Sequence, residues 1–188
     1  MSETIVVVGA NHAGTAAVNT ILDNYKDKHV VVFDRSSVIS FLGCGMALWI
    51  GGQISGPGGL FYASKEAFEQ KGATVHMETE VTHIDFAAKR VTACTKDGAA
   101  ITQSYDRLIL STGSVPICPS VPGMELENVQ FVKEYSHAQA VVDKLARSDI
   151  RRVAVVGAGY SGTGRGLCAQ WPRHHADRLR AHLPFQLL

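Results

Sequence analysis

Apolar positions in this chain fall into short continuous runs, separated by stretches of helical spacing and by glycine or proline punctuation. Ile5-Val6-Val7-Val8 runs straight into Gly9, and a second run from His29 to Phe33 ends at Asp34. Such runs, rich in β-branched residues and lacking polar alternation, read as buried parallel strands. From Ala13 to about Tyr25, Ala, Val and Leu recur at helical spacing, so the N-terminal segment predicts a strand–helix–strand unit. Ser64 is placed to cap a helix that runs through Lys71 and stops at Gly72. Thr74–Met77 reads as a further strand. Val81–Asp85 and Lys89–Thr95 start a hairpin-rich insert, with Lys96-Asp97-Gly98 as a turn between alternating segments. Arg107–Leu110 is another buried parallel strand, ending in the small-residue turn Ser111-Thr112-Gly113-Ser114. Val115 to Gly123 holds three prolines and reads as an extended crossover. Ser136 could cap a helix from His137 to Ala146, and Arg152 to Val156 repeats the opening strand pattern. The fold class is α/β, Rossmann-like, with a parallel sheet and a β-hairpin insert.

The chemistry gathers at the ends of these strands. In Gly9-Ala10-Asn11-His12-Ala13-Gly14 the first glycine allows a tight turn and the last allows close helix–strand packing. The helix start offers bare N–H groups and a positive dipole end to a pyrophosphate. Asn11 stands where a dinucleotide turn has its middle glycine. Asp34 lies 20 residues after Gly14, where an acid can hold a ribose hydroxyl. The later stretch Gly157-Ala158-Gly159-Tyr160-Ser161-Gly162 has all three glycines directly after a strand pattern. Two such units imply two dinucleotides, one flavin and one nicotinamide. Between them, Ser40-Phe41-Leu42-Gly43-Cys44-Gly45-Met46-Ala47-Leu48 places a cysteine where a helix is expected to begin. There the helix dipole would favour its thiolate. The alternative reading of Cys44 is a buried cysteine in an apolar helix.

At 188 residues the chain holds one large or two small domains, and 46% hydrophobic content supplies a real core. A net charge of +1 gives no general reason to expect nucleic acid or a membrane surface as partner. The longest apolar stretch, Phe41 to Ile50, is too short to span a bilayer. The N-terminus carries Glu3 and runs directly into a strand, so no signal peptide is expected. The cysteines are far apart and form no C-x-x-C pair, which points to a reducing cytoplasm and to no metal site.

Residues 1 to about 162 resemble the two-dinucleotide-binding flavoprotein reductases. The pieces that carry the likeness are the first glycine turn with its histidine, S-F-L-G-C-G around Cys44, Ser111-Thr112-Gly113-Ser114 with Pro116, and the second glycine turn. Within that family the chain resembles the single-cysteine branch of NADH oxidase, NADH peroxidase and coenzyme A disulfide reductase, and most of all the water-forming oxidases. The resemblance implies that Gly9, Asn11, His12, Ala13 and Gly14 bind FAD. Asp34, with Arg35 beside it, would hold the adenosine ribose, while Ser111, Thr112, Gly113, Ser114 and Lys133 lie along the cofactor. Cys44 would cycle between thiolate and sulfenic acid beside the flavin, with His12 as acid/base. His12 could instead be a turn-filling residue that only touches FAD. Gly157, Gly159, Tyr160 and Gly162 would take NADH, and oxygen or peroxide would be the electron acceptor. Cys94 and Cys118 read as structural.

The expected division is an FAD-binding domain over 1–150, with the crossover at 115–150, the start of an NADH-binding domain at 151–162, and an aberrant tail at 163–188. The tail has Gly, Pro, Arg and His where an apolar helix should follow, which suggests a shifted reading frame near Thr163. Full-length relatives form homo-oligomers through a region expected to be absent here, so little activity is expected. The alternatives are a coenzyme A disulfide reductase-like enzyme and a non-catalytic nucleotide-binding module.

Overall fold

The computed structural model describes residues 2–150 and 152–157, and the chain divides into two units. The first unit comprises Met1–Phe41 with Phe61–Ser114. The second comprises Leu42–Leu60 and, among the described residues, Val115 onward.

In the first unit a four-stranded parallel sheet has the order β3 (Thr74–His76), β2 (Lys28–Phe33), β1 (Glu3–Val8) and β7 (Arg107–Leu110). The unbroken apolar runs are explained by what covers this sheet. Side chains alternate across a strand, so Ile5, Val7, Val30 and Val32 face one way, onto Val18 and Leu22 of α1 (His12–Asn24) and Phe68 of α3 (Lys65–Gln70). Val6, Val8, Val31 and Phe33 face the other way, onto Val91, Ala93 and Tyr105. Val91 and Ala93 belong to an antiparallel sheet of β4 (Thr79–Asp85), β5 (Arg90–Thr95) and β6 (Ala100–Ser104). The result is three layers with β1 and β2 in the middle one, and Val6, Val7, Val30, Val32 and Phe33 have no exposed surface.

Local chemistry sets the boundaries. Ser64 caps α3 as expected, its hydroxyl accepting from the Ala67 N–H at 3.2 Å, and Gly72 follows the helix at φ +97°. Gly98, at φ +85°, makes the β5–β6 turn. The starts of three neighbouring strands are laced by charge. Glu3 accepts from Arg107 Nε at 2.9 Å and pairs with Lys28 at 3.2 Å. The Arg107 hydrogen bond, then that of Lys28, holds the Glu3 carboxyl below the usual carboxylate range.

In the second unit a 3₁₀ turn, Gly43–Gly45, leads into the short α2 (Met46–Ile50), which packs on α4 (Tyr135–Leu145). The rings of Trp49 and Tyr135 lie parallel, 5.8 Å apart. Two expectations are corrected here. Helix α4 begins at Tyr135 rather than after Ser136, because Glu134 and His137 form a reciprocal capping box. Residues 152–157 form no strand, and Val156 is fully exposed. A strand exists only as part of a ladder, and no described strand pairs with this segment. The tail at 163–188 lies outside the described residues.

Phe33→Ala should cost about 3–5 kcal/mol of stability, read by urea denaturation, because its ring is fully buried between two layers. The His76 ring lies 4.8 Å from that of Phe33. Burial, and then the Lys65 cation, push its imidazole down from the ordinary value of 6.5. The unfolded chain therefore takes up this proton first as pH falls, and the stability it contributes is lost below the ordinary histidine range. A comparison of denaturation midpoints at neutral and mildly acidic pH should show a smaller acid-side loss in His76→Gln than in the parent.

Candidate dinucleotide site

The β1–α1 turn is built on backbone meeting backbone. Gly9, at φ +97°, donates its N–H to Phe33 O at 2.8 Å. A Cβ on Gly9 would collide with the Ser111 carbonyl oxygen, and one on Gly14 with the carbonyl oxygen of Gly9. Neither position accepts a side chain. Thr15, fully buried, closes the turn by donating its hydroxyl to Ala10 O at 2.8 Å. Asn11 is the N-cap residue at φ −85°, ψ −154°, an extended conformation open to any residue, and it is exposed. This accounts for a turn that keeps its shape without the middle glycine. His12 and Ala13, also exposed, form the first positions of a 13-residue helix whose leading N–H groups have no intrahelical partner.

Asp34 sits just past β2, half-buried, and its carboxylate spans two loops. Oδ2 accepts from Ala10 N–H at 2.6 Å, and Oδ1 accepts from Ser36 N–H at 2.7 Å. Each oxygen keeps a second lone pair, so the group braces the turn and can still accept from a hydroxyl. Backbone bonds from Asp34 N–H to His76 O (2.9 Å), Glu78 N–H to Ser36 O (3.0 Å) and Thr79 N–H to Asp34 O (2.9 Å) fasten this loop to residues 76–79. The sequence reading took Thr74–Met77 as a strand but gave this segment no part in the site. Its signal is the break between two strand patterns at Met77-Glu78, where Glu78 takes φ +49°. Arg35 is exposed and borders an open depression of about 370 Å³, shared with Glu78, Glu80, Cys94, Thr95 and Lys96.

Ser111 follows β7 and seals the cradle, its hydroxyl directed at Gly9 O (2.7 Å) and Val8 O (3.0 Å). Thr112, Gly113 and Ser114 are exposed beyond it, with Gly113 at φ +65°. Sequence reasoning missed Tyr62 in this unit and gave Ser40, the first residue of the S-F-L-G-C-G piece, no role. Ser40 is buried at φ +61° and joins the loop after β2 to residues 62–63. The Tyr62 hydroxyl lies 2.8 Å from His12 Nδ1. No periodicity or motif marks Tyr62.

The second unit holds Cys44, in the middle of the 3₁₀ turn and exposed. The α-helix starts two residues later than the cysteine, at Met46, because Gly45 N–H bonds back to Leu42 O at 2.9 Å. Exposure excludes the buried-cysteine reading. Gly45 is buried, and a Cβ there would collide with Leu60 Cδ2, so the glycine serves packing. Lys133 is exposed, and a Cβ on Gly43 would lie 3.8 Å from its carbonyl oxygen. Cys118 is exposed and Cys94 half-buried, so neither is a core cysteine. Gly157 has φ +106°, while Gly159, Tyr160 and Gly162 lie outside the described residues. Among the described residues no cluster of His, Cys, Asp or Glu is arranged to hold a metal ion, and no helix is long and apolar enough to cross a membrane.

Three substitutions test the cradle without any ligand. Asp34→Ala strands the Ala10 and Ser36 N–H groups and should cost about 1–3 kcal/mol in chemical denaturation. Gly14→Ala should lower the thermal midpoint sharply, whereas Gly113→Ala, whose Cβ meets nothing within 4 Å, should lower it less, by the strain of its positive φ alone.

Comparison with known proteins places this geometry. The pyridine nucleotide-disulphide oxidoreductase family model matches residues 3–170. An NADH oxidase of Streptococcus pyogenes is 56% identical over 170 residues, covering 84% of this chain and 37% of the relative. An NADH oxidase of Lactococcus lactis is 49% identical over 159 residues, covering 85% and 36%. The chain thus spans a little over a third of the length of these relatives. The solved water-forming NADH oxidase from Lactobacillus brevis, bound to NADH, superposes with a TM-score of 0.82 at 42% identity, over 89% of this chain and 36% of that one. A reduced CoADR-RHD from Bacillus anthracis gives 0.81 at 26% identity, over 86% and 30%. With its glycine turn, its bracing acid and a family match over most of its length, this chain belongs to the pyridine nucleotide-disulphide oxidoreductases.

Proposed function

We propose that the chain is the flavin-binding part of an NADH oxidase-type oxidoreductase. The observation that carries this reading is an exposed Cys44 in a Gly43–Gly45 turn, on a chain whose first strand–helix turn leaves no room for a Cβ. The cradle fits FAD. The N-terminal N–H groups of α1 would take the pyrophosphate at Asn11, His12, Ala13 and Gly14. Asp34 would accept from the ribose, with Arg35 at the adenosine end, and Ser111 to Ser114 and Lys133 would line the rest. Residues 151–162 would open the NADH domain. FAD, when bound, supplies a hydride acceptor for NADH and an electron donor for oxygen.

The protein's own chemistry is centred on sulfur. The Cys44 thiolate would attack one oxygen of a peroxide, an S–O bond forming as the O–O bond breaks, and the departing hydroxide would take a proton, a role that the family resemblance assigns to His12. The product is a sulfenic acid, the reversible first rung of cysteine oxidation. A second NADH and a proton return it to the thiol and release water. Identities of 56%, 49% and 42% to NADH oxidases, against 26% to CoADR-RHD, favour oxygen or peroxide over coenzyme A disulfide as acceptor.

Added FAD should give a yellow protein that NADH bleaches under nitrogen, and a folded chain that stays colourless in excess FAD would overturn the reading. Brief peroxide treatment followed by a sulfenic-acid-specific diketone should label Cys44 and leave Cys44→Ser unlabelled. Thiol release from coenzyme A disulfide would instead move the assignment to the disulfide reductases.

A further inference from the structure

A closed circuit of hydrogen bonds surrounds the start of α1. Ser40 donates its N–H to Ala10 O at 3.2 Å, two residues before His12. The Ser40 hydroxyl accepts from Tyr62 N–H at 2.9 Å and Ala63 N–H at 2.8 Å, and donates to Ala63 O at 3.0 Å. Phe41 and Phe61 extend the tie as an isolated antiparallel bridge. From this anchored backbone the Tyr62 ring reaches out, half-exposed, and its hydroxyl meets His12 Nδ1 at 2.8 Å. The two rings are nearly parallel, 5° between planes and 5.7 Å between centroids. Ser40 is fully buried in the left-handed region, a backbone state that persists only where its surroundings over-determine it. The over-determination here comes from the bonds that place Tyr62.

We propose that Tyr62 is a positioning residue for His12, its phenol O–H donating to Nδ1 so that the ring proton stays on Nε2 and Nε2 is the nitrogen offered to a reacting group. A neutral imidazole has one donor and one acceptor nitrogen, and which is which is set by the bond the other nitrogen makes. A phenol oxygen delocalises its lone pair into the ring and is a better donor than acceptor. Tyr62 O–H has no other acceptor among the described residues. The Ser40 circuit fixes the donor, and the donor fixes the tautomer. The catalytic use of this arrangement rests on the acid/base reading of His12, whereas the pairing itself does not.

The test is long-range ¹H–¹⁵N NMR of the His12 ring in the 188-residue chain, without cofactor and above the ordinary histidine titration range. The parent should hold the proton on Nε2. In Tyr62→Phe, which keeps the ring and the Ser40 bonds, the Nδ1–H share should rise about fivefold, the factor one neutral hydrogen bond is worth. A proton on Nδ1 in the parent, which needs no variant to observe, overturns the proposal, and so do equal tautomer ratios in the two proteins. Binding of added FAD, seen as a yellow protein, is read separately on the same samples. Its absence alongside the tautomer shift rejects the oxidase reading and upholds the pairing. Its presence without the shift rejects the pairing and upholds the oxidase reading.

Discussion

Everything at the candidate site depends on three backbone segments coming within van der Waals contact at one point. The carbonyl of Gly9 is faced by Gly14 from the helix and by the Ser111 hydroxyl from the far strand, while Ser111 O faces Gly9 Cα. Protein interiors tolerate such packing only when nothing projects into it. Two glycines therefore decide where α1 starts, and α1 in turn decides where His12 and the free helix N–H groups are presented. The middle position of the motif carries no such burden, which explains how Asn11 can occupy it.

Asp34 shows how a side chain proposed for a site can also be scaffold. A buried or half-buried carboxylate needs partners, and here the loops themselves supply them as backbone N–H groups. The acid that would meet a ribose is thus already oriented by the turn that would meet the pyrophosphate. Bracing both loops with one carboxylate couples their geometry, so the turn and the loop after β2 are fixed together.

The parallel sheet was legible because its physics is periodic. Strands buried on both faces must be apolar at every position, and β1 and β2 are found where the runs of Val and Ile predict them. Strand β7 also forms where expected but is not buried, Leu108 and Ile109 being half-buried and Leu110 exposed. The glycine turn and Asp34 were legible because a backbone constraint and a fixed spacing leave marks in the sequence. Tyr62 and the role of Ser40 were not, because they rest on tertiary contacts between segments about 22 to 50 residues apart, which the motif around Ser40 does not report. The start of α4 was misplaced because a Glu–His capping box competes with the commoner serine cap. For residues 152–157 the apolar pattern reports strand propensity, but propensity becomes structure only beside a partner strand.

The contact that completes the cradle also sets a clock on making it. Ser111 reaches back 102 residues to Gly9, so the nascent chain cannot finish its first turn when that turn leaves the ribosome. At synthesis rates of about 5–20 residues per second, β1 and α1 would wait roughly 5–20 s for β7. Over that interval a run of four β-formers stands with an unpaired edge, and pairing across so long a loop is slow. The turn is therefore completed late in synthesis, with the arrival of the segment around Ser111.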